Sequence, residues 1–241
     1  MKFPMRLTPE SFSAELVKVL GPHAESIILY GSAASGDHEA AHSDYNVLIV
    51  LDRPDPSTLA LLGPVLRAWT KAGNPLPQIM DRAFLADSAD VFPLEWADMR
   101  DHHHVLHGSD VLSSLIIHEQ DMRAELEREL KGKVLRLRAA YAAAADEPAA
   151  LRELLIRSSS TFLILFRGLL RLKRVSPLPP RKEVAAAVAE MMDVDVSVFT
   201  FVARLRAGER GIARAELSSQ ARRYVETIEA VTGKVDSWTS T

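Results

Sequence analysis

The chain has 241 residues, 47% of them hydrophobic and 25% charged, with a net charge of −3 and no cysteine. These values exclude a disordered tract, a disulfide-stapled scaffold and a Cys-ligated zinc site, and they leave room for one large domain or two modest ones. No run reaches the ~18 apolar residues of a membrane span; Arg167 interrupts the nearest candidate, Thr161–Phe166. The N-terminal residues Met1 to Arg6 lack the apolar stretch of a signal peptide, so a cytoplasmic protein without membrane partners is expected.

In chain order, residues 8–20 predict a helix, with Thr8 as its cap, Pro9 at its first position and Gly21-Pro22 ending it. Ser26–Tyr30 is a short buried strand stopped by Gly31-Ser32. After a segment of small and polar residues, Tyr45–Leu51 is a second β-rich run. Ser57 is placed as the cap of a helix running to Lys71. Leu76–Met80 is expected to be an edge strand, because Pro77 cannot donate to a ladder. Phe92–Met99 is read as a further strand.

Beyond residue 113 helical periodicity takes over, with helices near 117–145, 148–173, 180–192, 195–207 and 215–233. The shift divides the chain into domains 1–115 and 116–241. The charge divides too. Residues 1–115 carry 8 Lys+Arg against 15 Asp+Glu, while the remainder is net positive. That asymmetry suits a site holding cations on one wall and phosphates on the other, or simply Arg-rich helical surfaces.

The most informative segment runs Leu29-Tyr30-Gly31-Ser32, then Ser43-Asp44-Tyr45-Asn46 leading into the apolar run Val47–Leu51. Gly31 permits a sharp turn and a close approach of backbone N–H groups to a phosphate. Ser32 adds a hydroxyl and can open a short helix. Asp44 stands at the mouth of the sheet, twelve positions after Ser32, and alternate strand residues share a face. Asp44 and Asn46 therefore point the same way and can ligate one cation.

This arrangement resembles the nucleotidyltransferase superfamily with a Gly-Ser loop and an Asp-x-Asp pair. It is similar above all to aminoglycoside adenylyltransferase-like proteins, which add a C-terminal helical bundle. The resemblance implies an α+β N-terminal domain, a mixed sheet flanked by helices, followed by an all-α bundle. It also implies a metal-dependent transfer of a nucleoside monophosphate from a nucleoside triphosphate, with ATP expected, to an unidentified hydroxyl acceptor. Gly31, Ser32 and Ser43 would hold the nucleotide, and Asp44, Asn46 and Glu95 would bind Mg²⁺ or Mn²⁺. Asp44 and Glu95 would be the catalytic pair, Glu95 serving as the third carboxylate on a later strand and as general base. The second Asp of the pair is Asn46, which adds no negative charge. A catalytically degenerate protein that binds a nucleotide or a protein partner is the alternative.

Asp101-His-His-His104 with His107 permits a zinc reading if the segment is helical, against a polar turn. Arg157 and Arg167 lie on the most apolar helix, where an inward cation could meet a triphosphate, against a solvated basic face. The basic residues lack interleaved aromatics and the chain is acidic overall, so a nucleic-acid partner is not expected, while oligomeric state stays open.

Overall fold

The computed structural model describes residues 7–34, 45–180, 182–195 and 197–238, with the side chain of Ser32 outside that set. It divides into two compact units, one through residue 118 and one from residue 119.

In the first unit, α1 (Pro9–Leu20) is capped by Thr8, whose side chain accepts from the Ser11 N–H. It leads through a 3₁₀ turn into β1 (Ala24–Tyr30). β2 (Asn46–Leu51) and α2 (Pro56–Lys71) follow. The cap of α2 is Asp55 rather than Ser57: its carboxylate accepts from the Ser57 and Thr58 N–H groups at 2.9 and 3.0 Å. A carboxylate there meets the positive end of the helix as well as two orphan donors. β3 (Gln78–Asp81), α3 (Arg82–Asp87), α4 (Pro93–Asp101) and β4 (His103–Gly108) complete the unit. The strands form a mixed sheet in the order β3-β2-β1-β4, with β1 antiparallel to both β2 and β4, and β2 parallel to β3.

Strand alternation splits the apolar residues into two layers. Ile27, Leu29, Val47, Ile49 and Leu51 face α1 and α2, where Phe12 stacks on Trp69 with ring centroids 3.9 Å apart. Ile28, Leu48, Val50 and Met80 face the other way, against Leu85, Trp96, Met99 and Leu112. The indole N–H of Trp96 donates to the Ser88 carbonyl at 3.2 Å.

Two elements correct the sequence reading. Phe92–Met99 was expected to be a strand and is helical, as α4. Pro93 sits in its first turn, and its buried residues Pro93, Trp96 and Ala97 follow a spacing of three and four rather than two. The His-rich segment, weighed as a helix or a turn, is strand β4. Its six residues alternate too weakly to announce a strand, and pairing with β1 makes it one. The helical zinc geometry for His103 and His107 is therefore gone.

The second unit consists of α5 (Glu119–Ala144), α6 (Pro148–Leu172), α7 (Val184–Met192), α8 (Ser197–Arg206) and α9 (Arg214–Asp236). Tyr224 is wholly buried at its centre, accepting from Ser158 Oγ at 3.0 Å and lying against Phe162 and Phe199. Ion pairs Lys131–Asp236 and Arg138–Glu229, both 2.6 Å, tie α5 to α9. Arg157 does not point inward; it is exposed and pairs with Glu153 on its own helix at 2.6 Å. Arg152 of α6 does point inward, donating to the Leu205 and Glu209 carbonyls. Near the C-terminus, the Lys173 ammonium lies 3.9 Å from the centre of the Trp238 ring. Among the described residues no helix is long and apolar enough to cross a membrane.

Candidate active site

The antiparallel registers bring Tyr30 opposite Asn46 on one side and opposite His103 on the other. Leu48 lies opposite Gln78 in the parallel pair, so Gln78 is diagonal to Asn46 and shares its face. Tyr30, Asn46, Gln78 and His103 thus lie on the face covered by α3 and α4, at one end of the sheet. Tyr30 is the last residue of β1 and the other three open their strands.

Gly31 follows directly, at φ +79°, a conformation that disfavours any side chain, and a Cβ there would lie 3.3 Å from the Asn46 amide nitrogen. The Gly31 N–H donates to the His102 carbonyl at 3.2 Å, so this amide is spent inside the fold. Residues Gly31–Ala33 form a single 3₁₀ turn closed by the Ala34 N–H on the Gly31 carbonyl, which sets the direction in which the loop leaves the sheet. Ser43 and Asp44 fall outside the described residues.

Glu95 reaches this end of the sheet from α4. Its carboxylate is exposed and accepts from the Gln78 amide at 2.8 Å. The third carboxylate implied by the resemblance was placed on a strand. The later strand paired with β2 is β3, where the residue on this face is Gln78, and the nearby carboxylate comes from the helix instead. Asp98, expected on the opposite side from Glu95 of a strand, is one helical turn away from it on α4 and shares its side.

Burial, and then the Glu95 carboxylate, push the Tyr30 hydroxyl up to about 12. The protonated phenol is favoured in the folded state, so between pH 10 and 12 the unfolded chain has lost a proton that the folded chain keeps. The stabilisation linked to Tyr30 is complete below pH 10 and lost as pH rises towards about 12. Ultraviolet titration of the wild type and of Glu95→Gln should show one tyrosine titrating lower once the charge is removed. An unchanged titration would mean that Glu95 does not act on Tyr30.

His103 is fixed at both ring nitrogens, Nδ1 to the Arg100 carbonyl at 2.9 Å and Nε2 to Asp110 at 3.0 Å. Burial raises the Asp110 carboxyl, but bonds from Ser113 and His103 outweigh it and hold the group down at about 2. Asp110 also accepts from the Leu112 and Ser113 N–H groups, which locks the chain after β4 beneath the sheet. His103 is therefore a structural pin beside Tyr30. Among the described residues no three His, Asp or Glu side chains gather as a metal site.

Sequence reasoning missed Tyr30 and Gln78, and it singled out His103 only as a zinc candidate. The signal for Gln78 was present: Met80 begins the apolar face of β3, and period two carries that face back to position 78.

The chain resembles the crystal structure of the spectinomycin adenyltransferase AAD(9) from Enterococcus faecialis with ATP and spectinomycin, with a TM-score of 0.53 over 92% of this chain and 98% of that one. It has the nucleotidyltransferase fold. The sequences are 12% identical, so this likeness speaks for the architecture alone. No family model matches the chain, and no curated protein does. Within the nucleotidyltransferase fold, the mixed sheet and the helical C-terminal region are as the sequence led one to expect.

Proposed function

We propose that the chain binds a nucleoside triphosphate, ATP by preference, beside the Gly31-Ser32 loop and transfers its nucleoside monophosphate to a hydroxyl acceptor. The observation that carries this reading is the convergence of Tyr30, Gly31, Asn46 and Glu95 at one end of a nucleotidyltransferase sheet. Glu95 is exposed and, among the described residues, held by one hydrogen bond, which leaves its second oxygen to an acceptor O–H. The acceptor proton passes to Glu95 while the acceptor oxygen attacks the α-phosphorus. The bond to the β-phosphate bridging oxygen breaks, and pyrophosphate leaves with that electron pair.

The donors available to Mg²⁺ or Mn²⁺ are hard oxygens of the kind these ions take: the carboxylates of Glu95 and Asp44 and the amide oxygen of Asn46. A bound ion would neutralise triphosphate charge. Ser32 and Ser43 would add hydroxyls to the phosphates. In this reading residues 1–115 form the transferase domain, and residues 116–241 form a helical domain. The setting would be cytoplasmic.

The test is incubation with α-labelled nucleotides, Mg²⁺ or Mn²⁺ and a panel of hydroxyl acceptors that includes aminocyclitols. Transfer of label with release of pyrophosphate is the expected result. No transfer and no nucleotide binding would reject it.

A second reading is favoured by one further observation. Asn46 and Gln78, which open β2 and β3 on the same face of the sheet, are both neutral amides. A protein that binds nucleotide without turnover would be built this way. Asn46→Asp separates the two readings. Activity that arises only in the variant identifies a degenerate transferase, whereas robust wild-type activity excludes the regulator.

A further inference from the structure

Gln78 is held at one end only. Its Nε2 donates to Glu95 at 2.8 Å, while its Oε1 is buried and meets no donor among the described residues. A buried carbonyl left without a donor lowers the stability of the fold. Methionine has a similar length and no such carbonyl, so packing alone does not account for an amide at this place. The hydrogen bond to Glu95 does. Glu95 is exposed on the first turn of α4, a position from which a glutamate swings through several rotamers. A donor fixed on β3 selects the rotamer that brings the carboxylate within electrostatic reach of Tyr30.

We infer that Gln78 is the positioning residue of the site: it orients the Glu95 carboxylate towards the acceptor and does so at the expense of fold stability. This rests on the transferase reading above. Gln78 touches neither nucleotide nor acceptor and acts only through Glu95. Its loss should therefore lower kcat and leave the nucleotide KM alone. The same loss should have no effect once Glu95 itself has been neutralised.

Gln78→Met in the full chain tests the inference against its wild type. The expected result is a kcat lower by about ten- to a hundredfold, the size of effect that a misplaced catalytic group produces. The nucleotide KM should stay within about twofold, and the melting temperature should be no lower than that of the wild type. Introducing Gln78→Met into Glu95→Gln should change kcat no further, which is the non-additivity of two residues acting as a unit. A lower melting temperature with unchanged kcat would make Gln78 a structural tie between β3 and α4 and overturn the inference. Full additivity with Glu95→Gln would overturn it as well, because Gln78 would then act elsewhere. A wild type that transfers nothing rejects the transferase reading and the role of Gln78 with it. A wild type whose kcat survives Gln78→Met rejects only the latter.

Discussion

Glu95→Gln is expected to fold and melt like the wild type and to transfer nucleotide about 100- to 10,000-fold more slowly, the usual contribution of a general base. The substitution keeps the shape of the side chain. It also keeps an oxygen for the Gln78 amide to meet, so α4 stays on the sheet. What disappears is the exposed carboxylate on the Gln78 amide, the group proposed to take the acceptor proton. The loss should fall mainly on kcat, with a smaller loss of metal-dependent nucleotide affinity because Glu95 is also a donor to the ion. A kcat within a few-fold of the wild type, measured with saturating acceptor, would remove Glu95 from the catalytic role.

The second large effect is on the fold. Gly108 ends β4 at φ +77°, and a Cβ there would lie 2.0 Å from the Glu25 carbonyl oxygen and 2.8 Å from its carbon. Both obstacles are backbone, so no side chain can swing aside. Gly108→Ala must therefore unpair the end of β4 from β1, adding a steric clash to the cost of a left-handed alanine. The expected destabilisation is roughly 3 kcal/mol or more, a fall in melting temperature on the order of 10 °C. The neighbourhood amplifies it. Ser26 Oγ donates to the Ser109 carbonyl at 2.7 Å, and Arg82 bridges Glu25 and Ser109 at 2.5 and 2.6 Å. Gly132→Ala is the matched control: it lies inside α5 with nothing within 4 Å of an added Cβ, and should gain up to about 1 kcal/mol. Equal melting temperatures for Gly108→Ala and the wild type would contradict the β1–β4 register.

Most of the fold was legible because its elements carry local signals. Thr8-Pro9 and Gly21 bracket α1, unbroken apolar runs mark β1 and β2, and the long amphipathic periods beyond residue 118 yield α5 to α9. The failures share a cause. In Phe92–Met99, apolar residues on both sides of Glu95 resemble a strand until Pro93 is read as a helix start. In β4, histidines occupy positions that only the partner strand decides. The candidate site was half legible. Gly31 and Asn46 sit in a recognisable loop-and-strand frame, and Glu95 was singled out although its element was wrong. Gln78 and Tyr30 were not, because their importance lies in cross-strand register and in a hydrogen bond between residues seventeen positions apart. A single sequence does not encode such proximity in any local pattern.

The placement of the three tryptophans has a practical consequence. Trp69 is packed under one face of the sheet, and Trp96 lies under the other, next in sequence to Glu95. Trp238 sits against Lys173 in the helical unit. Each layer of the protein therefore contains its own intrinsic fluorophore. Replacing two of the three with phenylalanine leaves a reporter for one layer only. The Trp96 reporter should respond to nucleotide added at the sheet end, while the Trp69 reporter follows only global unfolding and the Trp238 reporter follows the melting of α9.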